Sequence, residues 1–368
     1  MGDVRHLYVH LPFCVHRCGY CDFVTAVGRL EQHGGYVAAL LAELGREGGV
    51  LAEEVETVFV GGGTPTFTEP GALARLLGAL PAAAEVTVEA NPETVTPALA
   101  RLLREHGVSR ISLGAQSFRP KLLAVLERTA TPDDVRRAVH TLRDANFDNL
   151  SLDLLYGIPG QSPSDLDADL AAAVELEPEH LSCYELEAKP GTRFAHSHGV
   201  ELARQAEAME CYVERVVETL TGTGYRWYET ANFCRDADGR ELRAQHNLAI
   251  WHGHDYLGVG IGAVSTVGAV RRRNGSSLAR YVEALGSASD APSEVESLDP
   301  KTKRVERLML GLRLDEPLAL EGLEDVVDWA ALERLQDGGL VEPAPRGSIR
   351  LTPRGRLLGD AVTAELVA

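Results

Sequence analysis

Leu11-Pro12-Phe13-Cys14-Val15-His16-Arg17-Cys18-Gly19-Tyr20-Cys21-Asp22-Phe23 gathers three of the chain's six cysteines into eight residues, directly after an apolar strand-like run. Three thiolates converging in one loop suit an iron–sulfur cluster, because soft sulfur ligands select such clusters. A fully ligated cluster takes four cysteines. The fourth is missing locally, which leaves one iron open to bind something else. The same residues admit two plainer readings, a zinc site or buried free thiols. Zinc usually takes four protein ligands, often from two C-x-x-C knuckles. No second knuckle exists here, and His16 is the neighbour that in principle serves.

Outward from this loop, strand-like runs at 6–10, 56–61, 85–90, 109–114, 149–154 and 180–186 alternate with amphipathic stretches near 34–48, 71–80, 97–106, 132–145, 163–177 and 202–221. Such alternation predicts a parallel sheet with helices outside it. Six units fall short of the eight of a closed barrel, so the expected class is α/β, a partial, open (β/α)6 barrel. The cysteine loop, Gly61-Gly62-Gly63-Thr64, Glu89, Gln116 and Asp153 fall at or just past the C-terminal ends of successive strands, the face where barrel chemistry sits. After residue 225 the rhythm stops. Residues 286–298 are rich in Ser, Ala, Pro and Glu and read as a linker. From 299 onward come helices near 300–312 and 328–337, a hairpin at 340–342 and 348–351, and a last helix, in the order of a winged helix. The expected division is 1–235 for the barrel, 236–290 for a connecting region and 291–368 for a small C-terminal α+β domain.

Composition narrows the function. A chain of 368 residues holds one large domain of about 250 residues and a smaller one. A net charge of −18 argues against broad nucleic-acid binding, which needs a basic face. The C-terminal part carries ten basic against thirteen acidic residues from 299 onward, so it is expected to be a lid or packing domain rather than a DNA reader. The chain opens on charged and polar residues with no apolar run behind them, so no signal peptide is expected. No apolar stretch approaches the roughly 18 residues of a membrane span. Sparse, clustered cysteines fit a reducing cytoplasm. Composition leaves peripheral membrane contact open.

The words around the cysteines carry a resemblance. The C-x3-C-x2-C spacing followed by an acidic–aromatic pair resembles the signature of radical S-adenosylmethionine (radical SAM) enzymes. Tyr8-Val9-His10-Leu11-Pro12-Phe13-Cys14, Gly61-Gly62-Gly63-Thr64-Pro65-Thr66, Glu89-Ala90-Asn91-Pro92-Glu93, Gly114-Ala115-Gln116-Ser117-Phe118 and Asp153-Leu154-Leu155-Tyr156-Gly157-Ile158-Pro159-Gly160 follow in the order of the oxygen-independent coproporphyrinogen III oxidase family. The resemblance covers nearly the whole chain. Within that family the HemN oxidases carry a fourth cysteine two places after the third, and a long N-terminal arm. Here Phe23 holds that place and thirteen residues precede Cys14. Both features are similar to the HemW branch, which implies a heme chaperone; the alternative is oxidative decarboxylation of coproporphyrinogen III.

The resemblance implies the same barrel and assigns roles. Cys14, Cys18 and Cys21 are implied to hold a [4Fe–4S] cluster whose open iron chelates the amino and carboxylate groups of S-adenosylmethionine. An electron from the cluster then cleaves the sulfonium to give a 5′-deoxyadenosyl radical. Gly62, Gly63 and Thr64 are implied to meet the methionine amino group, with Glu89 as its carboxylate partner; a plain turn and a surface carboxylate are the alternatives. Gln116, Arg128 and Asp153 match positions implied to bind carboxylate and ribose. Tyr8 and Tyr20 flank the loop and either line the cofactor or pack in the core. His246-Asn247-Leu248-Ala249-Ile250-Trp251 resembles the HNxxYW word proposed for heme contact, with Ile250 where Tyr is expected. His246 is the residue expected to meet heme iron, against a structural histidine. His252 and His254 form a second pair without a third metal ligand in view. Arg271-Arg272-Arg273 is a short basic run, either solvated or paired with porphyrin propionates. Cys183, Cys211 and Cys234 are expected to be buried apolar fillers. The implied partners are heme, acceptor hemoproteins and an electron donor such as a flavodoxin or ferredoxin.

Overall fold

The computed structural model describes residues 2–187, 189–205, 209–236 and 239–368. The chain enters at β1 (His6–Leu11), whose residues alternate strictly. Leu7, Val9 and Leu11 are fully buried towards the helices. Alternation sends His6, Tyr8 and His10 to the opposite, inner face. Two short strands, β2 (Phe13–Cys14) and β3 (Ala26–Val27), pair in parallel and close the cysteine loop at its base. Then come α1 (Leu30–Glu47), β4 (Val55–Gly62), α2 (Pro70–Leu77), β5 (Ala83–Ala90), α3 (Pro97–Glu105) and β6 (Arg110–Gln116). The short α4 (Pro120–Val125) and α5 (Pro132–Asp144) lead to β7 (Leu150–Tyr156), α6 (Pro163–Glu175) and β8 (His180–Glu185). The helix starts are written locally. Proline occupies the first turn of α2, α3, α5 and α6, where its missing N–H costs nothing. Reciprocal capping boxes, Thr131 with Asp134 and Ser162 with Asp165, open α5 and α6.

Strands β1, β4, β5, β6, β7 and β8 pair in parallel in that order. This is the expected open barrel with its helical layer. Helices α7 (Arg193–Gln205) and α8 (Met209–Gly222) follow, and the antiparallel hairpin β9 (Tyr225–Glu229) and β10 (Asn232–Arg235) extends the β8 edge. The expected helix at 202–221 includes residues 206–208, which lie outside the described residues. The chain then crosses under the barrel as α9 (Gln245–Trp251) and returns as β11 (Leu257–Val259), which pairs in parallel with the free edge of β1.

An antiparallel sheet follows from β12 (Val264–Val267), β13 (Val270–Asn274) and, after α10 (Leu278–Gly286), β14 (Ser293–Ser297). The linker expected at 286–298 is therefore corrected: its second half is a strand. Glu296 and Glu294 stand opposite Arg271 and Arg273, and opposite charges across strands stabilise such a pair. The last part holds α11 (Pro300–Gly311), β15 (Leu318–Ala319), α12 (Trp329–Asp337), β16 (Val341–Ala344), β17 (Ser348–Leu351), α13 (Pro353–Leu357) and α14 (Gly359–Leu366). Its antiparallel strands run in the order β15-β17-β16 over a separate core that includes Leu308, Leu323, Val326, Leu335 and Ile349. The helix–helix–wing order matches the expectation. No described helix is long and apolar enough to cross a membrane.

Candidate functional site

A cavity of about 460 Å³ opens at the C-terminal ends of the parallel strands. Its rim is the cysteine loop, with Cys14, Cys18, Cys21 and Tyr20 on the wall. The glycine turn after β4 forms the next side. A side chain at Gly62, which has φ of 114°, would put its Cβ 2.5 Å from the His10 ring, and one at Gly63 would lie 2.5 Å from the Pro12 carbonyl oxygen. These two positions bring bare backbone to the cavity, and only glycine fits there.

A chain of contacts ties the cysteines to the rest of the wall. The Thr64 hydroxyl donates to Cys14 Sγ at 3.4 Å and accepts from Asn91 Nδ2 at 3.0 Å. Asn91 Oδ1 accepts from Arg128 Nη2 at 3.0 Å, and Arg128 Nη1 reaches Cys18 Sγ at 3.7 Å. Arg128 also donates to the Gly114 carbonyl at 2.8 Å. Gln116 has a left-handed φ of 65° at a register shift between β6 and β7. Such a bulge re-aims a side chain next to a site and stores strain there.

Two enclosed carboxyls face this wall. Burial, with a smaller contribution from Asp153, pushes Glu89 up to about 7, although its Oε2 accepts the Gly62 N–H at 2.9 Å. Burial also raises Asp153, opposed by Arg110 and by hydroxyl donors that include Ser112 at 3.1 Å. Arg110 lies on the cavity floor, 2 % exposed, and its buried Nε has no hydrogen-bond partner among the described residues. Burial pushes the Cys14 thiol up to about 11, with the Thr64 hydroxyl opposing it. A bound cation is what would hold these sulfurs as thiolates. All six cysteines are free. Three thiols on one wall, a cradle of bare backbone, the Glu89 carboxyl and the Arg128 guanidinium fit an iron–sulfur cluster with a zwitterionic ligand beside it.

The cavity thus gathers Cys14, Cys18, Cys21, Tyr20, Gly62, Gly63, Thr64, Glu89, Gln116, Arg128 and Asp153. Tyr8 is not on this wall. It stacks on Phe59 and shares a hydrogen bond of 3.0 Å with His10 Nδ1 deeper in the barrel. Sequence reasoning gave no role to Asn91 or Arg110 on this wall, nor to His10 behind Gly62, and it read Asn247 only as part of the heme word. His10 and Arg110 were within reach, because period-two alternation from Tyr8 and from Gly114 puts both on the inner face.

His246 is placed elsewhere than expected. The carboxylate of Glu85, on the barrel floor, accepts the N–H groups of Gln245 at 3.1 Å and His246 at 3.2 Å, which pins the start of α9. The His246 ring then points up into the barrel against Phe59 and Tyr8, 2 % exposed. Its Nδ1 meets Thr57 Oγ1 at 2.9 Å and its Nε2 is enclosed without a partner. Burial, then His6, pushes it down to about 3, so the ring is neutral. As placed, this imidazole plugs the barrel, the position of the structural histidine that the sequence left as the alternative. Asn247 reaches the floor of the upper cavity, and Trp251 lies under the Arg313 guanidinium at 4.6 Å.

Two further expectations are corrected. Arg271 and Arg272 are already paired, with Glu306 and Glu47 at 2.8 and 2.7 Å, so neither is free for a propionate. Cys183 and Cys234 are buried as expected, but Cys211 is exposed on α8.

The radical SAM superfamily matches residues 8–173. The chain is 37 % identical to the heme chaperone HemW of Mycobacterium tuberculosis, over 100 % of this chain and 95 % of the relative. It is 34 % identical to the heme chaperone HemW of Escherichia coli, over 95 % of each. Among solved structures, coproporphyrinogen III oxidase (HemN) of Escherichia coli superposes with a TM-score of 0.83 at 23 % identity, covering 99 % of this chain and 90 % of that one. That last likeness bears on the fold alone.

Proposed function

This chain belongs to the HemW family of radical SAM proteins, and from that premise we propose that it binds heme and hands it to acceptor hemoproteins. The carrying observation is similarity to heme chaperones along the whole chain rather than over the barrel only. Phe23 supports the same reading: it is 62 % exposed at the place where the HemN oxidases resemble each other in having a cysteine.

In this reading Cys14, Cys18 and Cys21 hold a [4Fe–4S] cluster and the cavity beside it takes S-adenosylmethionine. The cluster supplies one-electron chemistry to that cofactor. The chain's own residues bind and orient: Glu89 faces the cofactor amino group, the bare backbone of Gly62 and Gly63 gives it room, and Arg128 and Gln116 face its carboxylate. Asp153 accepts from the ribose hydroxyls, and Tyr20 closes the side. Residues 1–235 form the cofactor-binding part, 236–290 carry the heme word and 291–368 pack against both. Free cysteines throughout support a cytoplasmic location. A flavodoxin or ferredoxin serves as electron donor, and any membrane contact is peripheral.

The test uses anaerobic, cluster-reconstituted protein with S-adenosylmethionine and a reductant. One portion receives heme and then an apo-hemoprotein; the other receives coproporphyrinogen III. Heme binding and transfer without release of carbon dioxide is the expected result. Stoichiometric decarboxylation would make the chain an oxidase and overturn the reading.

A further inference from the structure

The floor of the upper cavity holds groups that the cofactor roles above leave unused. Asn247 is half-buried there, and its carboxamide makes no hydrogen bond among the described residues. Phe59, also half-buried, lines the same cavity. Tyr8 stacks on its ring at 6.1 Å and His246 packs on it at 5.3 Å, and neither of these two lines the cavity. An aromatic ring braced in this way and an open carboxamide therefore face one space.

The position of Asn247 is fixed by the sheet. Helix α9 has no side-chain cap of its own, since Ala244 stands at its N-cap. Glu85 takes that part, accepting the N–H groups of Gln245 at 3.1 Å and His246 at 3.2 Å. The Thr87 hydroxyl donates to Glu85 Oε1 at 3.3 Å, and both side chains are buried. Glu85, Thr87 and Glu89 follow at period two on the inner face of β5. One strand thus anchors α9 at its base and carries, near its top, the carboxyl that faces the cofactor amino group. Asn247, the third residue of α9, is preorganised by that anchor.

In the cofactor reading, rim groups take the methionine end and Asp153 takes the ribose, which leaves the adenine base without a polar partner. Adenine shows a donor at N6 beside an acceptor at N7, and a carboxamide matches both at once. Arg110, on the same floor, offers donors only. Gln116 is the other carboxamide on the wall, and it stands beside Arg128: a Cβ at Gly114 would lie 2.9 Å from Gln116 Nε2 and 3.5 Å from Arg128 Nη2. We propose that the adenine of S-adenosylmethionine rests on this floor, stacked on Phe59 and paired through N6 and N7 with Asn247. Occupancy of the base seat then holds α9, the helix that carries His246 and Trp251, in place. This rests on the cofactor reading above and deepens it.

The experiment uses the full, cluster-loaded chain without a reductant. Anaerobic calorimetry compares S-adenosylhomocysteine with its hypoxanthine counterpart, S-inosylhomocysteine, and hydrogen exchange is followed with S-adenosylhomocysteine or with methionine alone. The wild type is expected to prefer adenine by about tenfold or more. S-adenosylhomocysteine should slow exchange at 245–251 by about tenfold or more, and methionine should not. Asn247→Leu should lose both the preference and the slowing, with its iron and sulfide content unchanged. Phe59→Leu should weaken both ligands alike and keep the preference, which a damaged floor would not. Equal affinity of the wild type for the two bases overturns the assignment, as does a preference that survives in Asn247→Leu or slowing at 245–251 by methionine alone. A wild type that binds neither S-adenosylmethionine nor S-adenosylhomocysteine would sink the cofactor reading itself, a result distinct from all of these.

Discussion

Replacing Glu89 with Gln should remove a pH dependence from S-adenosylmethionine binding. The carboxyl sits at about 7 in the cofactor-free protein, against an ordinary value of 4.5, because burial penalises its charge. Each unit is worth about 1.4 kcal/mol, so ionising it at the site costs roughly 3 kcal/mol more than in water. An amino group that chelates iron is neutral and would donate an N–H to ionised Glu89. Below pH 7 the wild type must therefore release a proton from Glu89 on binding, and the ratio of wild-type to variant affinity should rise about tenfold per pH unit from 5 to 7. The profile is read only up to about pH 7.5, since an α-amino group titrates near 7.7–8.0 and its own proton is lost in both proteins. Glu89→Gln lacks the charged acceptor, and truncating one partner of a buried charge-assisted contact costs about 2–5 kcal/mol. Near pH 7.5 the variant should bind far more weakly, while near pH 5, where the wild type has lost about 2.7 kcal/mol to protonation, the gap should nearly close. Anaerobic calorimetry at five pH values measures this. A ratio of wild-type to variant affinity that stays constant with pH refutes the argument. Stability carries the opposite sign. A carboxyl raised in the folded state contributes stability that is present below its unfolded value and lost as pH rises through about 7, so cofactor-free Glu89→Gln should be the more stable form at pH 8.

Arg110→Met removes a buried cation that opposes the raised Glu89 and Asp153 carboxyls, so the midpoint of the same binding profile should move to higher pH; a downward shift contradicts the electrostatics. Glu85→Ala strands two N–H groups at the start of α9 and should cost about 2–4 kcal/mol in a denaturant titration. Hydrogen exchange at 245–251 should quicken in that variant, and Glu85→Gln should recover part of both effects. Alanine at Cys14, Cys18 or Cys21 should bring iron and acid-labile sulfide in reconstituted protein to background, while alanine at Cys183 or Cys234 should leave both unchanged and lower stability by about 1–2 kcal/mol through a small cavity.

The barrel was legible because its strands obey a simple period and its helices open on proline and capping residues. Every parallel strand expected from the sequence is present, displaced by a few residues at most. The failures have local causes. Helix α1 starts at Leu30, four residues before the expected stretch, and burial of Tyr36, Val37 and Leu40 outweighs the helix cost of Gly34 and Gly35. The three residues of β11 are too few to show a period, and their place beside β1 is set by pairing across the fold. Segment 293–297 is exposed along its whole length, so no hydrophobic pattern marked it; its pairing with the arginines of β13 did. At the site, words near the strand ends showed which residues converge. The word around His246 is read along the chain, whereas the burial of its ring depends on which face of a one-end-pinned helix enters the barrel.

Helix α9 puts Asn247 under the cavity at the cysteine end and, just past its end, His252 and His254 beside a second cleft at the other end of the barrel. From His6 to His10 the strand rises about 13 Å, and the rings of Tyr8, Phe59 and His246 fill the space between. Whatever the cavity at the cysteine end holds is therefore walled off from the far end by packed rings. What the two openings share is a single seven-residue helix. Any coupling between them has to pass through that helix or the strands beside it, and such coupling is reciprocal at equilibrium.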